Sequence, residues 1–195
     1  VAKTWHELRT PITNLKTRLY LLQRQPERLP DHLRILNEVT ERMRHLVEDL
    51  LDVSRFESGV ISLQWQEIEL QALILEVVHM QEAEAAHKDI RVSSHLPSEP
   101  VYIHADHDRF VQVVTNLVVN AINYTPANGH VDVEVATRDN SVYVIVSDDG
   151  IGIGEEHMPY LFQAFYRADT SPGGTGLGLS ITQQIVELHG GEITV

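Results

Sequence analysis

Apolar residues at heptad spacing run through the first 58 residues and leave few folds open to them. Leu8, Ile12, Leu15, Leu19 and Leu22 fall at intervals of 4, 3, 4 and 3; Leu36, Val39, Met43, Leu46, Leu50 and Val53 fall at 3, 4, 3, 4 and 3. Such seams describe helices that bury a stripe against a partner. Between them, Pro26 and Pro30 end the first helix, and Asp31 is placed to cap the second. A connection this short makes an antiparallel hairpin. One hairpin cannot cover both of its apolar flanks, whereas two hairpins can form a four-helix bundle, so a homodimer is expected. The alternative partner for the seams is the chain's own second half.

The pattern changes at Gly59. Residues 59–66 read as a linker, with Ile61–Trp65 alternating as a short strand, and 67–195 as a second domain. Helical periodicity covers 69–88 and 106–124, and strands are expected at Ile90–Leu96 and Val101–His104. Val131, Val133 and Val135 alternate, as do Val142, Val144 and Val146, which reads as a pair of adjacent strands. Strands, helix and hairpin in this order predict an α/β sandwich with a mixed sheet. The chain opens inside a helical pattern at Val1 and stops inside an expected strand, Glu192–Val195, as a fragment of a longer protein would.

The chain carries 15 Lys and Arg against 28 Asp and Glu, a net charge of −13, which argues against a nucleic-acid partner. With no cysteine, disulfides and thiolate metal sites are excluded. No apolar run approaches the roughly 20 residues of a membrane span, so no membrane contact and a cytoplasmic setting are expected for this segment.

Four groups of residues carry chemistry. In Trp5-His6-Glu7-Leu8-Arg9-Thr10-Pro11, His6 precedes the Leu8 seam, so its ring can point into solvent and attack phosphorus through a neutral nitrogen. Glu7 can take the proton of the other ring nitrogen, Thr10 lies one turn away where it can position water, and Pro11 should kink the helix beside the reactive His. An isolated His-Glu pair is more often plain surface. On the 106–124 helix, Arg109, Gln112, Asn116, Asn120, Asn123 and Tyr124 recur at near-helical spacing. Asn116 and Asn120 share a face, and their amide oxygens suit Mg²⁺. In Asp148-Asp149-Gly150-Ile151-Gly152-Ile153-Gly154, a strand-end Asp can accept from an adenine amino group, although Asp-x-Gly-x-Gly alone is often a mere turn. Gly173-Gly174-Thr175-Gly176-Leu177-Gly178 opens a helix whose free N–H groups suit phosphates. His104-Ala105-Asp106-His107-Asp108 reads as a helix cap among surface histidines rather than a metal cluster.

Together these boxes closely resemble those of sensor histidine kinases, over nearly the whole chain. The resemblance implies a dimerisation and phosphoacceptor hairpin over 1–58 and a Bergerat-type, GHKL-class ATP-binding domain over 67–195, lacking a terminal strand. It implies a protein-histidine kinase that uses ATP and Mg²⁺ and passes the phosphoryl group from His6 to an Asp of a response-regulator receiver domain. Phosphatase activity toward that regulator, and descent from a membrane-anchored receptor, are implied too. His6, Glu7, Arg9 and Thr10 would be its catalytic box. Asn116, Asn120, Asn123, Tyr124, Asp148, Gly150, Gly152, Ile153, Arg167, Gly174, Thr175, Gly176, Leu177 and Gly178 would line the ATP site, with Asn120 and Asn116 on Mg²⁺. Phe162 and Phe165 would pack the lid. Two departures stand out: Trp5 where the family has a small residue, and Asn123 where it has a base, a missing charge that Arg167 is placed to supply. The rival readings are a non-kinase ATPase of the gyrase and Hsp90 type, and a catalytically weak nucleotide-binding scaffold.

Overall fold

A computed structural model describes residues 2–59, 61–139, 141–168 and 175–195, with the backbone alone for 2–8, 26 and 57. Helix α1 (Ala2–Arg24) and helix α2 (Leu29–Glu57) form the hairpin, joined through a single 3-10 turn at Pro26–Arg28. α1 runs on through Pro11. α2 starts two residues before Asp31, because Pro30 fits a first helical turn that has no use for its missing N–H. Arg28 is the N-cap and makes no side-chain cap bond, so Asp31 does not cap the helix; it pairs with Arg28 at 3.6 Å.

The α2 seam packs inward at Val39 and Leu46, which are buried. On α1 the seam divides: Leu15 and Leu22 are half-buried, whereas Ile12 and Leu19 are exposed. A second stripe on α2, Leu33, Val47 and Leu51, is also exposed, with Leu33 and Val47 two heptads apart. The hairpin therefore has one apolar flank covered and one open.

Beyond residue 60, the first strand, β1, is Trp65–Glu69 rather than Ile61–Trp65. It pairs antiparallel with β3 (Tyr102–Asp106), which begins one residue later than expected and ends two later. The pairing sets the register: Ile68 turns inward opposite Ile103, and Asp106 Oδ2 accepts the Gln64 N–H at 2.8 Å. Helix α3 (Leu70–His87) leads to β2 (Arg91–His95), and helix α4 (His107–Tyr124) to the hairpin of β4 (His130–Arg138) and β5 (Ser141–Asp148). The second sheet has the order β2-β4-β5, parallel then antiparallel, the mixed arrangement expected. Helix α5 (Gly178–Leu188) is the last regular element among the described residues; Glu192–Val195 forms no strand.

Alternation on β4 buries Val131, Val133 and Val135 against Leu73, Ile74 and Val77 of α3 and Val114, Val118 and Ile122 of α4. Each such side chain contributes on the order of 2 kcal/mol. A second cluster joins Leu46 of α2 to Val113 of α4, to Leu177 just before α5 and to Ile181 and Ile185 of α5, flanked by Leu50, Val53 and Phe56. The hairpin is thus docked on the helical side of the sandwich.

Candidate functional site

Helix α4 is the spine of the site. Asp106, expected as its cap, does cap it: Oδ1 accepts the Arg109 N–H at 3.1 Å. The side turned from the core carries Arg109, Gln112, Asn116, Asn120 and Asn123, all half-buried. Asn116 Nδ2 donates to Gly178 O and Thr182 Oγ1, both at 3.3 Å, which fixes the N-terminus of α5 beside the amide face. Asn123 Oδ1 accepts from Lys88 Nζ at 2.7 Å.

The Asp148 turn meets the other end of α4. Asp148 is exposed and its Oδ1 accepts the Gly150 N–H at 2.9 Å, while the Ile151 N–H reaches Tyr124 O at 3.2 Å. A side chain at position 150 would place Cβ 2.5 Å from Tyr124 O, so only glycine lets the turn close onto the helix end. Asp149 locks the turn to β4 by accepting the His130 N–H at 2.7 Å. Gly152 follows at φ 69°, and Ile153 is exposed.

The described end of the glycine-rich run, residues 175–178, closes the third side. Gly176, at φ 70°, accepts the Phe165 N–H at 2.7 Å, and Phe165 itself is left-handed at φ 64°. Phe165 packs on the α2–α5 cluster; Phe162 and Arg167 are half-buried. Leu177 is buried, and the first turn of α5 starts at Gly178 beside Asn116. Gly173 and Gly174 lie outside the described residues.

On the hairpin, His6 and Glu7 fall on α1, but their side chains, like that of Trp5, lie outside the described residues. Arg9 and Thr10 are exposed and border a shallow cleft of about 380 Å³ with Thr13, Asn14 and Thr17. Thr13 and Thr17 turn their hydroxyls back onto Arg9 O and Thr13 O, at 2.9 and 3.0 Å.

Two residues that the sequence reading passed over, Asp49 and Asp52, clasp the halves together. Asp52, buried, accepts from Arg109 Nη1 at 2.8 Å and Gln112 Nε2 at 2.9 Å. Asp49 Oδ2 accepts from the Thr175 hydroxyl at 2.9 Å, and Thr175 Oγ1 in turn accepts the Leu177 N–H at 3.2 Å. Burial pushes the Asp49 carboxyl above its ordinary pKa, and the Thr175 bond offsets part of that. The only local signal was their spacing, which puts both on one face of α2. Lys88 was likewise passed over.

Two family models match: "His Kinase A (phospho-acceptor) domain" over residues 1–59 and "Histidine kinase-, DNA gyrase B-, and HSP90-like ATPase" over 105–195. The catalytic domain of histidine kinase ThkA is 34% identical, with 65% of this chain and 82% of that one covered at a TM-score of 0.60. The chain belongs to the sensor histidine kinase family. Among sensor histidine kinases, Bacillus subtilis WalK is 34% identical over 99% of this chain and 33% of its own, so the chain spans about a third of that relative. ThkA in a complex with the response regulator protein TrrA superposes at a TM-score of 0.77 and 28% identity, over 97% of this chain and 54% of that one. As in that family, an ATPase-type domain follows a phosphoacceptor hairpin, and the hairpin match sets the chain apart from the gyrase and Hsp90 type.

Proposed function

We propose that this chain is a histidine kinase core that moves the γ-phosphoryl group of ATP to His6 and then to an aspartate of a response-regulator receiver domain. The observation that carries this reading is the convergence of the α4 amide face, the Asp148 turn and the α5 N-terminus, in a half docked on the helix pair that bears His6. Adenine lies at the Asp148 turn, with Tyr124, Gly150, Gly152 and Ile153 around it. The polyphosphate follows α4 toward Asn116 and the N–H groups of Leu177 and Gly178, with Thr175 and Gly176 over it and Arg167 on the γ-phosphate; Gly174 belongs to the same phosphate-binding run. Mg²⁺, held through the Asn120 and Asn116 amides and the phosphates themselves, would neutralise phosphate charge. Among the described residues no carboxylate and histidine cluster competes for it.

A ring nitrogen of His6 attacks phosphorus as the bond to the β,γ-bridging oxygen breaks and ADP leaves; Glu7 takes the proton from the other nitrogen. Residues 1–58 act as the phosphotransfer unit, 59–66 as the linker and 67–195 as the ATP-binding unit. Two copies pair through the open flank of the hairpin. The receiver docks on the cleft of Arg9, Thr10, Thr13, Asn14 and Thr17, where Thr10 orients the water that hydrolyses its phosphoaspartate. The reported complex of ThkA with TrrA supports such a partner.

The test is labelling of the purified chain with γ-³²P-ATP. An acid-labile, base-stable label is expected, and His6→Gln should abolish it while leaving ATP affinity intact. A label that persists in His6→Gln overturns the assignment.

A further inference from the structure

A polyphosphate carrying about four negative charges must approach a chain whose own net charge is −13, so the site needs a local cation. The cation on α4 itself, Arg109, is turned to Asp52 of the hairpin and also bonds Gln112 of its own helix, at 2.8 Å each. Another cation reaches the amide face from a different element. Lys88 caps the C-terminus of α3, where the helix dipole favours positive charge, and its ammonium bonds Asn123 Oδ1 at 2.7 Å. Asn123 lies three residues beyond Asn120 and seven beyond Asn116, within an arc of about 60° on α4.

We propose that Lys88, held by Asn123, is a polyphosphate-binding residue of the ATP site. This deepens the kinase reading and rests on it. An ammonium donates three hydrogen bonds; Asn123 takes one and Glu84 Oε1, at 3.1 Å, a second, which leaves one for a phosphate oxygen. Glu84 is mostly exposed, so solvent screens its charge. Because Lys can only donate, the Asn123 oxygen must face it and the amide Nδ2 hydrogens turn away. Cation and amide donors are thereby presented as a pair. A basic side chain at 123 would set two cations against each other at this distance, whereas a neutral amide lets α3 supply the charge. Arg167, which the sequence marked for this task, is then not needed at this end of the site.

The experiment is calorimetric titration of the purified chain with AMP, ADP and ATP in Mg²⁺ buffer, beside thermal melts. Lys88→Met should weaken ATP and ADP binding about tenfold, as expected for one charge-assisted bond, and leave AMP binding and the melting temperature unchanged. Adding Asn123→Lys to Lys88→Met should restore ATP affinity, because the charge returns to the same place from α4. Unchanged ATP binding in Lys88→Met, an equal loss for AMP and ATP, or no recovery in the double variant would each overturn the proposal while leaving the kinase reading intact. If the unsubstituted chain bound no ATP at all, that reading would fail first.

Discussion

Single residues here answer to more than one neighbour. Asp106 shows it: one carboxylate oxygen caps α4 and the other holds Gln64 at the start of β1, while its own N–H donates to His189 Nε2 at 3.0 Å. Burial opposes its ionised form, but the Gln64 and Arg109 amides and the Arg109 charge outweigh that and hold its pKa below the usual value. A carboxyl with a lowered folded value contributes stability above the ordinary carboxylate range, lost as pH falls through that lowered value. Asp106→Ala should therefore cost about 1–2 kcal/mol at neutral pH, read as a lower denaturation midpoint, and should flatten the acid limb of a stability–pH curve. An unchanged midpoint would mean that water replaces both bonds.

Secondary elements follow the sequence where periodicity decides them and depart from it where partners do. The α1 and α2 seams and the Val131–Val135 alternation name their own elements, because 3.6- and 2-residue repeats are local properties. β1 was placed too early, since the alternating pattern of Ile61–Trp65 is as good as that of Trp65–Glu69. Pairing with β3 and the Gln64–Asp106 bond choose between them. The start of α2 was misplaced because Asp31 is a good cap in isolation, but Pro30 suits the first turn. At the site, the Asn face, the Asp148 turn and the glycine loop were legible as residue types at fixed offsets. Lys88, Asp49 and Asp52 were not, because their partners lie 35, 126 and 57 positions away along the chain. The exposed stripe of Leu33, Val47 and Leu51 emerged only once Val39 and Leu46 were seen to be buried, Leu46 against α5. If two copies pair through this flank as proposed, the unsubstituted chain should sediment as a dimer and Leu33→Asp as a monomer in analytical ultracentrifugation, with nucleotide affinity unchanged. A dimer that persists would place the contact elsewhere.

At the scale of the molecule, the two halves are held by an apolar cluster and two polar clasps. On the proposed reading His6 takes its phosphoryl group from the nucleotide half, and clasps that tie that half to α2 at Asp49 and Asp52 would restrain its approach. Asp52→Ala removes the acceptor that faces Arg109 and Gln112 and should raise the initial rate of autophosphorylation about fivefold. An unchanged or lower rate would mean that docking does not limit the step. Asp49 adds a sign: its raised carboxyl binds a proton more readily when docked than when free. Docking should strengthen as pH falls through the raised value toward the ordinary carboxylate range, and Asp49→Asn should abolish that dependence.

Asp49 and Asp52 stand three residues apart on a helix whose remaining surface meets α1 and forms part of the exposed flank. Turning α2 about its long axis by even one residue's worth, about 100°, would withdraw both carboxylates together. Twist of α2 and grip on the nucleotide half would then change together, because both carboxylates ride on the one helix.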